Sequence, residues 1–308
     1  MKLKIVYPVY NDWEALKLLL TKTESIFKDK GYQLSYLAVD DCSAMAFNSS
    51  DFGEFNLKVI HLISNQGHQR AIAIGLSYLA DNNDADLVVV MDSDGEDQPE
   101  HILELIEKSK ASPEKIIFAQ RKKRTESFTF RLFYLLYKFI FKFLTGQVIT
   151  FGNYSLIPAS KIKKLANVSE IWNNYPGGVI RSKLPFDSIP LDRGVRLAGK
   201  SKMNFTSLIL HGMSAISVFL DFTAVRILMF ASVMVTCSVI GASVALYLKF
   251  IMHQATPGWA SNLVMGFFIV FIQGFFIALF ILFMVLSSRR YTSFIPYFGY
   301  SKFIDFVE

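Results

Sequence analysis

The sequence predicts an α/β domain followed by a membrane-spanning helical hairpin. Strand-like and helix-like runs alternate up to about Arg121, and two uncharged apolar stretches dominate the C-terminal third. One strand, "LVVVMDSDGEDQPEH" (residues 87–101), ends in the acids Asp92, Asp94, Glu96 and Asp97. Clustered carboxylates repel one another and resist desolvation, so a strand end of this kind calls for a cation.

The strands are expected at "KLKIVYPVY", "LSYLAVDD", "LKVIHLIS", "LVVVMDSD" and "KIIFAQR". Helical patterns lie between them over residues 12–30, 67–83 and 99–112. Apolar strands alternating with helices predict a parallel sheet covered on both faces. Ligands bind such sheets at the carboxyl ends of the strands, where the acid cluster and the pair Asp40–Asp41 would both sit. "DQPE" predicts Asp97 as a helix N-cap with Glu100 as its capping-box partner.

Residues 127–144, "SFTFRLFYLLYKFIFKFL", carry Arg131, Lys138 and Lys142 at spacings of seven and four. On a helix these form one basic stripe in an otherwise apolar surface, the pattern of a helix lying in a membrane interface; a core helix is the plainer alternative. Residues 203–222 form a second amphipathic segment, with Ser207, His211, Ser214, Ser217 and Asp221 on one side.

Residues 227–248 and 263–288 are each long and apolar enough to span a bilayer. Joined by a short loop they make a hairpin, so residues 1–210 and the tail 289–308 are expected on one side. Arg226, Arg289, Arg290 and Lys302 flank the spans whereas the loop holds one Lys, which places that side in the cytoplasm. The N-terminus has no signal-peptide pattern. The net charge of +6 is matched to membrane lipid rather than nucleic acid. Cys42 and Cys237 lack metal-ligand spacing and are not expected to pair. Association through the spans into a homo-oligomer is compatible with this layout.

Acids one residue apart at a strand end can share a hard divalent ion, Mg²⁺ or Mn²⁺, whose shell is completed by water and substrate phosphates. That chemistry points to a nucleotide diphosphate, although a solvated acidic turn has the same letters. Asp92, Asp94 and Glu96 are the candidate ligands. Four more motifs agree in position: "YPVYN" (7–11), "VDD" (39–41), "SNQGHQRAIAIGL" (64–76), which turns into a helix N-terminus suited to phosphate, and "RLAGKSKM" (196–203).

Taken together, P-x-Y-N, V-D-D, N-x-G-x-x-x-A-x-x-x-G-L, D-x-D-x-x-D-x-P-E and G-K-S-K resemble the family 2 inverting glycosyltransferases, specifically those of the dolichol-phosphate mannose synthase group that charge polyprenyl phosphate. The resemblance covers roughly residues 1–210 and implies a Rossmann-like, nucleotide-sugar-binding glycosyltransferase A fold. It implies that Pro8, Tyr10, Asn11 and Gly67 border the nucleotide sugar, and that Asp40 or Asp41 hydrogen-bonds the base or ribose. Asp92, Ser93 and Asp94 would flank the metal and diphosphate. Arg196 and Lys202 would close over the phosphates, while Arg121, Arg124 and Arg131 would hold the lipid phosphate. Asp94, Arg121 and Arg131 are the residues expected to act at the reacting centre.

Where relatives often read D-x-G-D-F-R, this chain has "TFGNYS": Thr150 and Asn153 replace acids, and Ser155 replaces a base. A sugar-hydroxyl acceptor needs a general base, whereas a phosphate with a second pKa of about 6 is already ionised. Asn153 therefore favours polyprenyl phosphate as acceptor. The rivals are a transferase acting on a lipid-linked saccharide hydroxyl, and an inactive sugar-nucleotide-binding membrane scaffold.

Overall fold

The computed structural model describes residues 1–121, 128–198, 205–253, 258–288 and 293–308. The chain forms two compact units: residues 1–133, 148–218 and 293–308 make the first, and residues 134–147 and 219–292 the second.

The first unit is built on one eight-stranded sheet. Its strands are β1 (Lys2–Val9), β2 (Gln33–Asp40), β3 (Leu57–Leu62), β4 (Leu87–Val90), β5 (Ile116–Arg121), β6 (Phe151–Pro158), β7 (Phe186–Leu191) and β8 (Ile304–Val307), in the spatial order β7-β5-β6-β4-β1-β2-β3-β8. The five expected strands are present and parallel to one another. The sheet as a whole is mixed, because β6 runs antiparallel between β4 and β5, and β8 antiparallel beside β3. The expectation of an all-parallel sheet is corrected by these two strands. In the sequence β6 stands out only as a departure from a motif, β7 holds Pro190, which an edge strand tolerates, and β8 is four residues long.

Alternation along the strands divides the core. Leu3, Ile5, Tyr7 and Val89 face α1 (Trp13–Phe27) and α3 (His101–Ala111). Val6, Val88 and Val90 face the opposite side, with α2 (His68–Asn82) and the short helices α5 (Ala159–Ala166) and α6 (Tyr175–Ser182). The period of two sends successive side chains to opposite faces, so a continuous apolar run fills both layers. Gly75 lets α2 lie close on the sheet: a Cβ there would stand 3.0 Å from both Val39 and Val6.

The two amphipathic segments are helical: α4 spans Phe128–Thr145 and α7 spans Phe205–Ser217. On α4, Leu135, Leu136, Phe139, Ile140 and Phe143 are exposed. On α7, Ile209, Leu210 and Met213 are exposed while Ala215 is buried. The expectation of one helix over 203–222 is corrected: α7 stops at Ser217, and α8 (Leu220–Phe250) starts afresh with Asp221 in its first turn, where a carboxylate favours a helix N-terminus.

In the second unit, α8 packs against α9 (Trp259–Ser288), and each is long and apolar enough to cross a membrane. Ala224, Ala231, Ser238 and Ala245 are the small, buried residues of α8, spaced by sevens. Small residues at a seam let two apolar helices approach closely. Arg226 reaches the end of α4, donating from Nη1 to the carbonyls of Phe143 (2.7 Å) and Lys142 (3.2 Å). The Lys142 carbonyl also accepts the Gly146 N–H (2.9 Å), so the guanidinium adds a second donor there and reaches the Phe143 carbonyl in the last turn as well. The remaining helix, α10 (Pro296–Gly299), follows α9 and belongs to the first unit, as does β8. Cys42 and Cys237 are free thiols.

Candidate active site

The carboxyl ends of β1, β2 and β4 lie on one edge of the sheet, and the reversed direction of β6 brings its start to the same edge. Val90 pairs with Ser155, so two residues further along each strand Asp92 comes opposite Asn153. Antiparallel insertion of β6 is thus what places Asn153 beside the acids.

After β4 the chain makes a tight acid turn. The Asp92 N–H donates to Asp97 Oδ2 (3.2 Å) and the Glu96 N–H to Asp94 Oδ1 (3.0 Å). Gly95 takes φ +82°, and a Cβ there would collide with Leu197, so the turn requires glycine on both counts. The loop after β7 lies along this turn: the Gly194 N–H donates to Glu96 O (2.7 Å) and the Leu197 N–H to Asp94 O (2.9 Å). The same loop supplies the cations. Arg196 spans two acids, with Nη1 3.1 Å from Asp94 Oδ2 and Nη2 2.7 Å from Asp12 Oδ2. Arg193 pairs with Glu96. Burial raises the Asp94 pKa and the neighbouring Asp92 adds to it, against Arg196 and Arg193. Burial also lowers the Arg193 pKa, against Asp94 and Asp92.

The second acid pair is held differently. Asp41 Oδ1 accepts the Gln66 N–H (2.6 Å) and Oδ2 the Gly67 N–H (2.8 Å), tying β2 to the turn that opens α2. Burial raises the Asp41 pKa and these two N–H groups oppose it. Asp40 Oδ1 accepts the Ser43 N–H (3.0 Å), and Oδ2 lies 3.0 Å from His61 Nδ1.

A third polar group crosses from α2 to β6. His68 Nε2 lies 3.1 Å from Asp92 Oδ1 and 2.9 Å from Asn153 Nδ2. Gln69 donates from Nε2 to Asn153 Oδ1 (3.0 Å) and accepts the Tyr175 N–H at Oε1 (2.6 Å). Loss of solvent around the ring works against the His68 imidazolium, although its side chain is 43% exposed, and Asp92, with Asp97 and Asp94 behind it, outweighs this and raises the pKa. Ser155 is fully buried and shares a hydrogen bond of 2.6 Å with the Tyr175 hydroxyl. It is a packing residue in this chain.

Of the residues predicted from sequence, the fold brings Pro8, Tyr10, Asn11, Asp40, Asp41, Gly67, Asp92, Ser93, Asp94, Glu96 and Arg196 to this one edge. Pro8 and Ser93 are buried and Tyr10 is exposed. Arg124 and Lys202 lie outside the described residues, as do the side chains of Arg121 and Arg131. The predicted capping box at Asp97 is corrected: Asp97 turns back to Asp92, and Glu100 instead pairs with Lys22 at 2.8 Å. Sequence reasoning missed Asp12, His68, Gln69 and Arg193. "DRGVR" does carry a signal for Arg193, since it repeats the basic residue of the loop three positions before Arg196.

Among the described residues, no set of three His, Cys, Asp or Glu side chains is placed to share an ion. Glu96 pairs with Arg193 as Asp94 does with Arg196, so the candidate donors are the two acids one residue apart, Asp92 and Asp94. Two half-buried carboxylates that raise one another's charge cost would suit a hard divalent ion, which takes its remaining ligands from water and phosphate oxygens.

The sequence profile described as Glycosyl transferase family 2 matches residues 4–164, more than half of the chain. The chain belongs to glycosyl transferase family 2. This family 2 glycosyltransferase is 26% identical over 281 residues to the uncharacterized glycosyltransferase YkcC of Bacillus subtilis (strain 168), covering 84% of this chain and 81% of that one. Over 113 residues it is 30% identical to the undecaprenyl-phosphate 4-deoxy-4-formamido-L-arabinose transferase of Klebsiella pneumoniae (strain 342), covering 35% of this chain and 33% of that one. Among solved structures it is similar to glucosyl-3-phosphoglycerate synthase of Mycobacterium tuberculosis, in complex with Mn²⁺, uridine diphosphate and glucosyl-3-phosphoglycerate. That likeness has a TM-score of 0.53 at 13% identity and covers 72% of this chain and 80% of that chain. Mannosyl-3-phosphoglycerate synthase of Rubrobacter xylanophilus gives a TM-score of 0.51 at 14% identity, covering 71% and 72%. At these identities the likeness establishes the fold: the mixed α/β sheet is a glycosyltransferase A fold, followed by an apolar two-helix hairpin.

Proposed function

We propose that this glycosyltransferase transfers a hexose-type sugar from a UDP- or GDP-linked donor to polyprenyl phosphate, with inversion, at the cytoplasmic face of a membrane. Asn153 carries the choice of acceptor. It stands opposite Asp92, where an acid could have served as a base, and its amide is engaged by Gln69 and lies against His68. An amide cannot take a proton from a sugar hydroxyl, whereas an ionised phosphate oxygen needs no proton removed. The partial likeness to an undecaprenyl-phosphate transferase supports the same acceptor. The two apolar helices, and the apolar residues exposed on α4 and α7, support work at a lipid headgroup.

In the reaction, an oxygen of the lipid phosphate attacks the anomeric carbon. The bond from that carbon to the diphosphate oxygen breaks, and the electron pair leaves with the nucleoside diphosphate. Charge develops on that leaving group, so catalysis depends on cations placed in advance. Asp92 and Asp94 would hold Mg²⁺ or Mn²⁺, which neutralises part of the diphosphate charge. Arg196, now bridging Asp94 and Asp12, is in reach of the same place. Arg121, Arg124, Arg131 and Lys202 complete the proposed set on the acceptor and phosphate sides.

The test is to incubate the purified full-length protein with polyprenyl phosphate, labelled UDP- or GDP-sugars and Mg²⁺ or Mn²⁺. A labelled lipid that disappears with Asp94→Asn is expected. Turnover only with a saccharide-bearing lipid would replace the acceptor, and nucleotide binding without turnover of any donor would make the protein a scaffold.

A further inference from the structure

The segment after α9 does more than return to the sheet. Phe294 and Phe303 pack on Trp172, with ring centroids 4.5 and 4.9 Å away. The Tyr297 and Tyr300 hydroxyls donate to Asp81, at 2.8 and 3.2 Å. β8 then pairs with β3, where Val59 and Glu308 exchange backbone hydrogen bonds of 2.7 and 3.0 Å. So far these contacts describe a covered sheet edge, which any exposed edge strand benefits from.

The side chains of β8 and its end go further. Phe306 stacks on His61 at 4.4 Å with the rings 17° apart. Glu308 Oε1 lies 2.9 Å from His61 Nε2, and His61 Nδ1 lies 3.0 Å from Asp40 Oδ2. The line continues into the nucleotide end of the sheet. Asp40 Oδ1 accepts the Ser43 N–H (3.0 Å), Ser43 Oγ accepts the Asn11 N–H (2.8 Å), and Asn11 Oδ1 accepts the Met45 N–H (3.0 Å). Asn11 takes φ 53°, a left-handed conformation that asparagine adopts more readily than most residues. An imidazole with a carboxylate at each ring nitrogen has its plane fixed, and it in turn fixes the carboxylate beyond it.

We propose that Glu308 is a positioning residue for nucleotide binding: acting through His61, it sets Asp40, and with it the Ser43–Asn11 contacts that wall the base and ribose. The proposal rests on the donor-site reading above. It makes the segment that follows the apolar hairpin a working part of the nucleotide half of the catalytic unit.

The experiment measures the binding of UDP and GDP to the full-length protein in detergent, together with donor KM, kcat and thermal melting. Glu308→Ala is expected to weaken nucleotide binding and raise donor KM about fivefold, the effect of one hydrogen-bonded link, with kcat within about twofold. Glu308→Gln, which keeps an acceptor oxygen for His61, is expected to recover most of the affinity. Tyr300→Phe loosens the same segment at Asp81, away from the relay, and is expected to leave nucleotide affinity unchanged. Unchanged affinity in Glu308→Ala overturns the proposal. So does an affinity loss in Tyr300→Phe that follows its melting temperature, because β8 would then be an edge cover alone. A wild-type protein that binds neither UDP nor GDP would overturn the donor-site reading as well, which separates the two failures.

Discussion

Two acid clusters end the strands β2 and β4 that flank β1, and they are satisfied in opposite ways. Asp41 is met by backbone N–H groups of the turn that opens α2, and Asp40 by one N–H and a half-buried histidine. Asp92 and Asp94 face side chains instead: the His68 imidazole on one, the Arg196 guanidinium on the other. Backbone partners cannot leave without unfolding the turn. Side-chain partners can be exchanged for a substrate's diphosphate and its metal ion. Under the proposed function the same residue type in the same kind of place would do two jobs: Asp41 builds the edge of the site, and Asp92 and Asp94 would work in it.

The comparison breaks most visibly at Asp94. Asp94→Asn is expected to reduce transfer by about two to three orders of magnitude, the loss typical of one electrostatic group at a developing charge. Its melting temperature should hardly move, because the change removes a carboxylate whose charge burial already disfavours. A large melting shift with proportionate activity loss would make Asp94 structural and erase the contrast. Asp41→Ala should behave in the reverse sense. It leaves the Gln66 and Gly67 N–H groups without their acceptor, at a cost of about 2–3 kcal/mol of stability read from denaturant unfolding. Activity per folded molecule should fall less than in Asp94→Asn.

That division was only half legible in the sequence. The apolar run of β4 and the acids after it mark a buried strand delivering charge to a ligand, and both follow from local pattern. The partners do not. Arg193 and Arg196 reach Glu96 and Asp94 from a loop about a hundred residues away, and that loop is placed by β7 at the far edge of the sheet. The helix cap expected at Asp97 failed for a related reason. "DQPE" carries the local letters of a capping box, but the Asp92 N–H and the Gly95 turn draw the Asp97 carboxylate back toward the strand. Glu308 was the least legible of all, because its partner His61 comes from a strand 247 residues earlier. The apolar helices, by contrast, are legible from composition alone: α8 extends beyond the apolar stretch 227–248 at both ends, and α9 extends beyond 263–288 only at its start.

Adding an acid sharpens the comparison from the other side. Asn153→Asp would place a further carboxylate against Asp92 and His68, in a cluster whose neutralising groups are already shared. If the acceptor is a phosphate, a new base brings no gain and the added repulsion is expected to lower transfer about tenfold, equivalent to about 1.4 kcal/mol. Faster transfer to a saccharide hydroxyl would instead show that the missing acid had been limiting, and would move the assignment to that acceptor. Gln69→Leu supplies a control for geometry, since it removes the group that orients Asn153 without changing charge.

The smallest effect belongs to an acid with neither job. Asp187, on β7, accepts the Ser188 N–H at 2.9 Å and pairs with Lys108 at 3.2 Å, and these contacts hold its pKa below the ordinary carboxylate value. A folded-state pKa below the unfolded one adds stability that is fully present above the unfolded value, near 4, and is lost as pH falls through the folded value. Its side chain is 35% exposed, so solvent screening limits the increment to a few tenths of a kcal/mol. Asp187→Asn should flatten that part of the stability-versus-pH curve below about pH 5 and leave transfer at neutral pH unchanged. Asp41→Ala should lower stability near neutral pH, where Asp187→Asn should cost only its few tenths. Acid unfolding of the two variants side by side thus distinguishes an acid built into the edge of the site from one that merely decorates the sheet.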